Sequence, residues 1–336
     1  MYNHTQSSKI AFFKIGGSCL VGAESFYQMV LRIREIVREK QGTSIITLSA
    51  FSGMTTALEE LFEKVWDMSP KMRENNVGNE SHNLAVNIRQ KYVIPLYSMT
   101  GANKRSAVLA SEAEVDRLCS ELSSRLLMRE GERKDISKAR VLAFGEECSV
   151  AITRFVLEHV YNTSCDYLHA SKLITTEDVH KGYCIDNTIA MSSTEQKVKL
   201  YAPVFATSIR PVLIEGFIGE NMHHKQTVLE REGSDVTAAA LARAFVNLGW
   251  DVPFVRYYKN VGGVWKHEPS PEEIAQGDGF EERIMLRDLL GITLKAKQKI
   301  LHPDAIRVLM GNGLGQPRIP VQIALFSTGV VGTKIY

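Results

Sequence analysis

The chain reads as an α/β protein built on a largely parallel sheet, and two patterns lead to that reading. Short apolar runs alternate with longer amphipathic stretches of helical period. The apolar runs also end in small or polar turn residues before a helix opens, the order expected of strand–turn–helix units.

The elements follow in order. Lys9–Ile15 is a strand that stops at Gly16-Gly17, and Glu24–Lys40 is a helix with Phe26, Met29, Val30, Ile33, Ile36 and Val37 on one side. Ser44–Leu48 is the second strand. Its turn, Ser49–Gly53, leads into a helix from about Thr55 to Asp67. Met68–Asn83 is polar, carries Pro70 and Gly78, and reads as a loop. The next stretch looks mostly helical, with a charged hairpin near Arg129–Lys138. Arg140–Phe144 then reads as a strand ending in the turn Gly145-Glu146, and a helix runs on to about His159. Cys165–His169, Pro211–Glu215 and Pro253–Tyr258 are further strands, and Ser234–Leu248 is an Ala-rich helix. Glu281–Leu290 and Asp304–Met310 look helical, and Ile319–Leu325 with Thr333–Tyr336 look like closing strands. With no repeat and no Gly/Ser linker, the 336 residues are expected to form one domain over a continuous sheet.

Composition narrows the function classes. The hydrophobic share is 44% and the charged share 23%, as in ordinary globular proteins, so global disorder is excluded. Forty basic residues against 38 acidic ones leave a formal charge of +2, which offers no attraction for nucleic acid or a membrane surface. No apolar run reaches the roughly 18 residues of a membrane span, and the N-terminus lacks a signal-peptide pattern. The five cysteines, Cys19, Cys119, Cys148, Cys165 and Cys184, are scattered without a CxxC. That argues against a disulfide framework or a structural zinc site and fits a cytoplasmic protein.

Ligands of open α/β sheets bind beyond the carboxyl ends of the strands, so each strand end is a candidate site. After the first strand stand Lys14, Gly16, Gly17 and Ser18, a cation and a bare backbone suited to phosphate, although such a turn is common without a ligand. After the strand Pro211–Glu215, Arg231 stands before the Ala-rich helix that Ser234 or Asp235 opens. Ser or Asp there is equally an ordinary helix cap. Glu146 at a strand end suits an ammonium group or a helix start. No Walker A pattern occurs, Gly311–Gly315 reads as a turn, and His223-His224 reads as an exposed loop.

In order along the chain, these segments resemble the aspartate kinases of the amino acid kinase superfamily. Lys14–Leu20 is similar to K-F-G-G-T-S-V, and Ser49–Leu58 to S-A-x-S-G-x-T-N-x-L. Gly145-Glu146 with Ser149 is similar to G-E-x-x-S, and Thr227–Ala240 to T-T-L-G-R-G-G-S-D-x-T-A-A after Gly216–Gly219. Val255–Pro269 is similar to T-D-V-x-G-(I/V)-Y-x-x-D-P, and Lys299–Pro303 to K-V-L-H-P.

The resemblance implies a three-layer αβα sandwich with a mostly parallel central sheet. It divides the domain into an acceptor-binding half, about 1–210, and a nucleotide-binding half, about 211–336. It implies ATP and Mg2+ and phosphoryl transfer to the side-chain carboxylate of L-aspartate or a close analogue. Carried over, Lys14 contacts the transferring phosphate, Gly16, Gly17 and Ser18 cradle it, and Asp235 orients the lysines or the metal. Ser49, Thr55, Glu146, Arg231 and Ser234 hold the amino acid, and Asn260, Trp265 and Lys299 lie on the nucleotide. No residue is assigned as a metal ligand.

Three departures bear on the acceptor and the phosphates. Glu230 and Glu232 replace glycines of L-G-R-G-G-S-D beside the expected anions, and Lys259-Asn260 replaces T-D. Two alternatives therefore stand beside an aspartate kinase: a paralogue acting on another amino acid or small acid, and a weak binding or regulatory subunit. The regulatory domains usual after this catalytic domain are not expected, and any homodimer is expected to form through the kinase domain.

Overall fold

The computed structural model describes residues 9–39, 42–100, 105–127, 131–177, 184–265, 270, 280–295, 300–311 and 317–336. Among them, an eight-stranded sheet runs in the order β3-β4-β2-β1-β7-β9-β10-β8, flanked by helices. The strands are β1 Ile10–Ile15, β2 Thr43–Leu48, β3 Asp166–Tyr167, β4 Val212–Glu215, β7 Val255–Lys259, β8 Arg283–Ile284, β9 Val321–Leu325 and β10 Val331–Ile335. Pairing is parallel except where β10 meets β9. A separate hairpin joins β5, Ile218–Glu220, to β6, Gln226–Val228. Every residue of β1 is buried, as expected of a central parallel strand covered on both faces.

The register sets the site. Ile15 lies beside Leu48 of β2 and Tyr258 of β7, so β1, β2 and β7 end at one edge. Beyond that edge come the Gly16–Ser18 turn, Ser49–Gly53 and Lys259.

The helices are α1 Ala23–Arg38, α2 Met54–Trp66, α3 Pro70–Ile88, α4 Leu96–Thr100, α5 Arg105–Leu126 and α6 Lys134–His159. They continue with α7 Met191–Thr207, α8 Gly233–Asn247, α9 Leu286–Lys295 and α10 Pro303–Met310. α8 is buried on nearly every face from Gly233 to Phe245 and packs against α7 and α10. Its alanines let it approach the sheet closely.

Three expectations are corrected. Met68–Asn83 is not a loop but most of α3. Ser69 accepts a hydrogen bond from the Met72 N–H and Pro70 occupies the first helical position, where a missing N–H costs nothing. Its buried side is Val77, Ser81, Ala85 and Ile88, too small and polar to announce a helix. Arg140–Phe144 is not a strand, and Gly145-Glu146 is not a turn; both lie inside α6. Most of α6 from Ala139 to Leu157 is buried, and the run Val141–Glu146 without interruption, so its apolar residues follow one another as they would in a buried strand. Glu281–Leu290 divides between β8 and the start of α9.

The five cysteines are free and buried, and His224 is exposed. No helix among the described residues is long and apolar enough to cross a membrane.

Candidate active site

The strand edge opens into a cleft of about 640 Å³. Ten of the sequence-predicted residues line it: Lys14, Gly16, Gly17, Ser18, Ser49, Thr55, Glu146, Arg231, Ser234 and Asp235. Local geometry explains how they meet. A Cβ on Gly17 would lie 2.8 Å from the Ala50 carbonyl oxygen, so only a bare backbone lets the first turn pass the second. A Cβ on Gly216 would lie 2.3 Å from the Ser234 Cβ, so this glycine admits the start of α8 to the end of β4. Ser149 donates to the Ser49 carbonyl at 2.7 Å and ties α6 to the same loop.

Charge is concentrated at Asp235. Its Oδ1 lies 2.5 Å from Lys14 Nζ and its Oδ2 lies 2.7 Å from Lys259 Nζ. Burial acts to raise the Asp235 pKa, but the two ammonium groups outweigh it and hold the carboxyl well below the usual range. Burial lowers the Lys14 pKa, with Asp235 opposing and Lys259 adding to the fall.

Glu146 supplies the opposite environment. It is 4% exposed, and its Oε2 has no hydrogen-bond partner among the described residues. Burial pushes its pKa up to about 8, against the Ala50 backbone hydrogen bond. Its neighbour Glu147 faces away, toward a second hollow between α5 and α6. There His169 at 3.3 Å and Arg125 at 2.5 Å outweigh burial and bring it down to about 2. Adjacent carboxyls on one helix thus differ because one is paired and the other is not.

Arg231, at the rim of the cleft, is largely exposed and pairs with Glu59 of α2 at 2.7 Å. The remaining predicted residues lie apart. Asn260 does not line the cleft; its Nδ2 donates to the Ser18 carbonyl at 2.8 Å. Trp265 is buried with its ring centroid 4.3 Å from that of Phe280. Lys299 and most of the Gly311–Gly315 run lie outside the described residues.

The two glutamates part company. Glu232 lines the cleft in a left-handed conformation, φ 68°, where glycine is the easy residue. Phe217, φ 67°, also lines it, so two strained positions meet at one site. Glu230 turns away to a separate hollow near His302 and Asp304. Those three offer ligand atoms within 4.8 Å of one another. However, His302 Nδ1 already caps α10 by accepting from the Asp304 N–H, and Asp304 already pairs with Arg307. Of the two glutamates expected beside the anions, Glu232 lines the cleft and Glu230 does not.

Two residues were missed at the sequence level. Lys259 ends β7 as Lys14 nearly ends β1, and that shared position was its signal. Glu59 had none, because its role depends on the approach of Arg231.

No family profile matches the chain. An aspartokinase of Chlamydia pneumoniae is 30% identical over 223 residues, 64% of this chain and 44% of its own. A bifunctional aspartokinase/homoserine dehydrogenase of Buchnera aphidicola is 24% identical over 296 residues, 87% of this chain and 33% of its own. The chain spans a third to about a half of the curated relatives it matches. Aspartokinase III of E. coli, solved with aspartate and ADP, superposes with a TM-score of 0.72 at 19% identity. That match covers 97% of this chain and 64% of the other.

Proposed function

We infer that a chain whose sequence and fold relatives are aspartate kinases carries an aspartate kinase-type catalytic domain of the amino acid kinase family. From that premise we propose that it transfers the terminal phosphoryl group of ATP to the side-chain carboxylate of L-aspartate or a close analogue, giving an acyl phosphate. The observation that carries the proposal is the cleft itself. It is lined by a lysine–aspartate–lysine cluster, a bare glycine turn and a buried, half-unsatisfied carboxyl.

Phosphoryl transfer depends mainly on in-line positioning and on neutralising negative charge spread over the phosphate oxygens. Lys14 supplies a cation at that point, and Asp235 fixes where it stands. A carboxylate acceptor has a pKa near 4 and is already a nucleophile at neutral pH, so the cleft needs no general base. Glu146 receives the acceptor's ammonium group, which satisfies the free oxygen. Arg231 takes the α-carboxylate after leaving Glu59, a planar fork matched to a planar anion.

Asp235 has both oxygens on ammonium groups, so the described residues offer no carboxylate cage for a metal beside the glycine turn. Mg2+ accordingly arrives on the triphosphate as part of the substrate, as is usual for this ion. It neutralises phosphate charge there.

A second reading, a kinase of a different amino acid or small acid, is favoured by Glu232. Its side chain and charge stand in the cleft where the resembled motif has bare backbone. Coupled ADP release across a panel of amino acids, with the acyl phosphate trapped by hydroxylamine, separates the two. Aspartate-dependent ADP with hydroxamate supports the first, and turnover with another acid supports the second. No acceptor-dependent ADP release from a protein that binds ATP sinks both.

A further inference from the structure

We propose that Lys259 is a further catalytic residue of this cleft, its ammonium contacting the phosphates of a bound nucleoside triphosphate alongside that of Lys14. The inference rests on the kinase reading above and deepens it.

β1 and β7 are adjacent parallel strands, so the side chains of Lys14 and Lys259 reach the same edge of the sheet. Both converge on one carboxylate, Lys14 on Oδ1 and Lys259 on Oδ2 of Asp235. Among the described residues Asp235 is the one ion-pair partner of either lysine, and a single negative charge cancels only one of two positive charges. The surplus lies at the turn of Gly16, Gly17 and Ser18, the part of the cleft with least side chain. A buried cation without a counter-charge is costly, and an anion entering the cleft relieves that cost.

Exposure separates the roles. The Asp235 side chain is 3% exposed and sits beneath, whereas that of Lys259 is 15% exposed and opens to the cleft. Asp235 is therefore the positioning residue, and Lys259 presents its remaining N–H donors to whatever binds. The resembled motif has threonine where Lys259 stands, so this cation is an addition to the pattern.

The test compares affinities of the full chain for ATP and AMP by calorimetry in the wild type, Lys259→Met, Lys259→Gln and Lys259→Arg. One charge-assisted phosphate contact corresponds to roughly ten-fold or more in affinity. ATP binding should weaken by about that factor in Lys259→Met, while AMP binding changes less than about two-fold. Lys259→Arg should recover most of the loss, which a merely structural lysine would not require. Thermal unfolding confirms that each variant is folded; removing Lys259 leaves a neutral Lys14–Asp235 pair, and Lys259→Gln serves if the methionine variant fails. An unchanged ATP-to-AMP ratio in a folded variant overturns the inference and leaves the kinase reading standing. A wild-type protein without preference for ATP over AMP overturns both.

Discussion

Exchanging Glu146 for glutamine isolates the electrostatics of the acceptor end of the cleft. The carboxyl is 4% exposed with one oxygen unpartnered among the described residues, and burial carries its pKa from 4.5 to about 8. Below about pH 4.5 the native and unfolded chains both hold the proton, and the group adds no pH dependence. Between about 4.5 and 8 the unfolded chain releases its proton while the native chain keeps it, so stability falls as pH rises. At 1.36 kcal/mol per decade the loss approaches about 5 kcal/mol near pH 8 and is constant above it. Glutamine keeps the shape and one acceptor oxygen but has no proton to lose. Urea unfolding of both proteins at about pH 5, 6, 7 and 8 should give nearly equal stabilities at the acid end. The variant should then gain about 1.4 kcal/mol per pH unit. A difference that stays flat across this range would refute the reasoning, because it would mean that the carboxyl is hydrated or paired in the native state. The same proton bears on ligand binding. An ammonium group seated on Glu146 favours its ionised form, so acceptor binding near neutral pH should release a proton. Calorimetry in buffers of different ionisation enthalpy reads that release, and the glutamine variant should show none.

Asp235→Ala leaves Lys14 and Lys259 buried together without their carboxylate, and should cost about 3–5 kcal/mol of stability with kcat falling by orders of magnitude. The depressed Asp235 pKa gives stability that is present above about pH 4 and lost on further acidification, so the acid limb of wild-type unfolding should flatten in the variant. Lys14→Ala should lower kcat by orders of magnitude while the protein stays folded, and near-native turnover would remove Lys14 from the mechanism. Glu232→Gly relieves a left-handed non-glycine residue and should stabilise by about 1 kcal/mol in urea unfolding. It should also raise kcat/KM for aspartate relative to other acids, and an unchanged ratio would show that the carboxylate points away from the acceptor. Gly216→Ala drives a methyl group into Ser234 and should both destabilise the protein and abolish turnover, since the start of α8 carries Asp235.

The strands at the centre of the sheet, β1, β2, β4 and β7, were legible in the sequence, and so were the glycines and Lys14, Ser234 and Asp235 that follow or face them. These features depend on neighbours along the chain: apolar runs of strand length, turn residues after them, and capping residues before a helix. α3 and the first half of α6 were not legible. Sequence period reports how one face differs from another, and that contrast fades when a helix is buried on most sides, as α6 is from Ala139 to Leu157, or when half of its buried side is Ser and Ala, as in α3. The departures Glu230 and Glu232 were visible as letters, but only the tertiary structure turns one away from the cleft and the other into it. The same holds for the pairing of Arg231 with Glu59 and for the second lysine on Asp235. The contrast between Glu146 and Glu147 is the sharpest case. The two are chemically identical neighbours on one helix, and their proton affinities diverge because Glu147 meets Arg125 and His169 while Glu146 is buried without a cation beside it among the described residues. Charge in a protein is governed by what lies within a few ångströms through space, and the order of residues along a chain does not specify that distance.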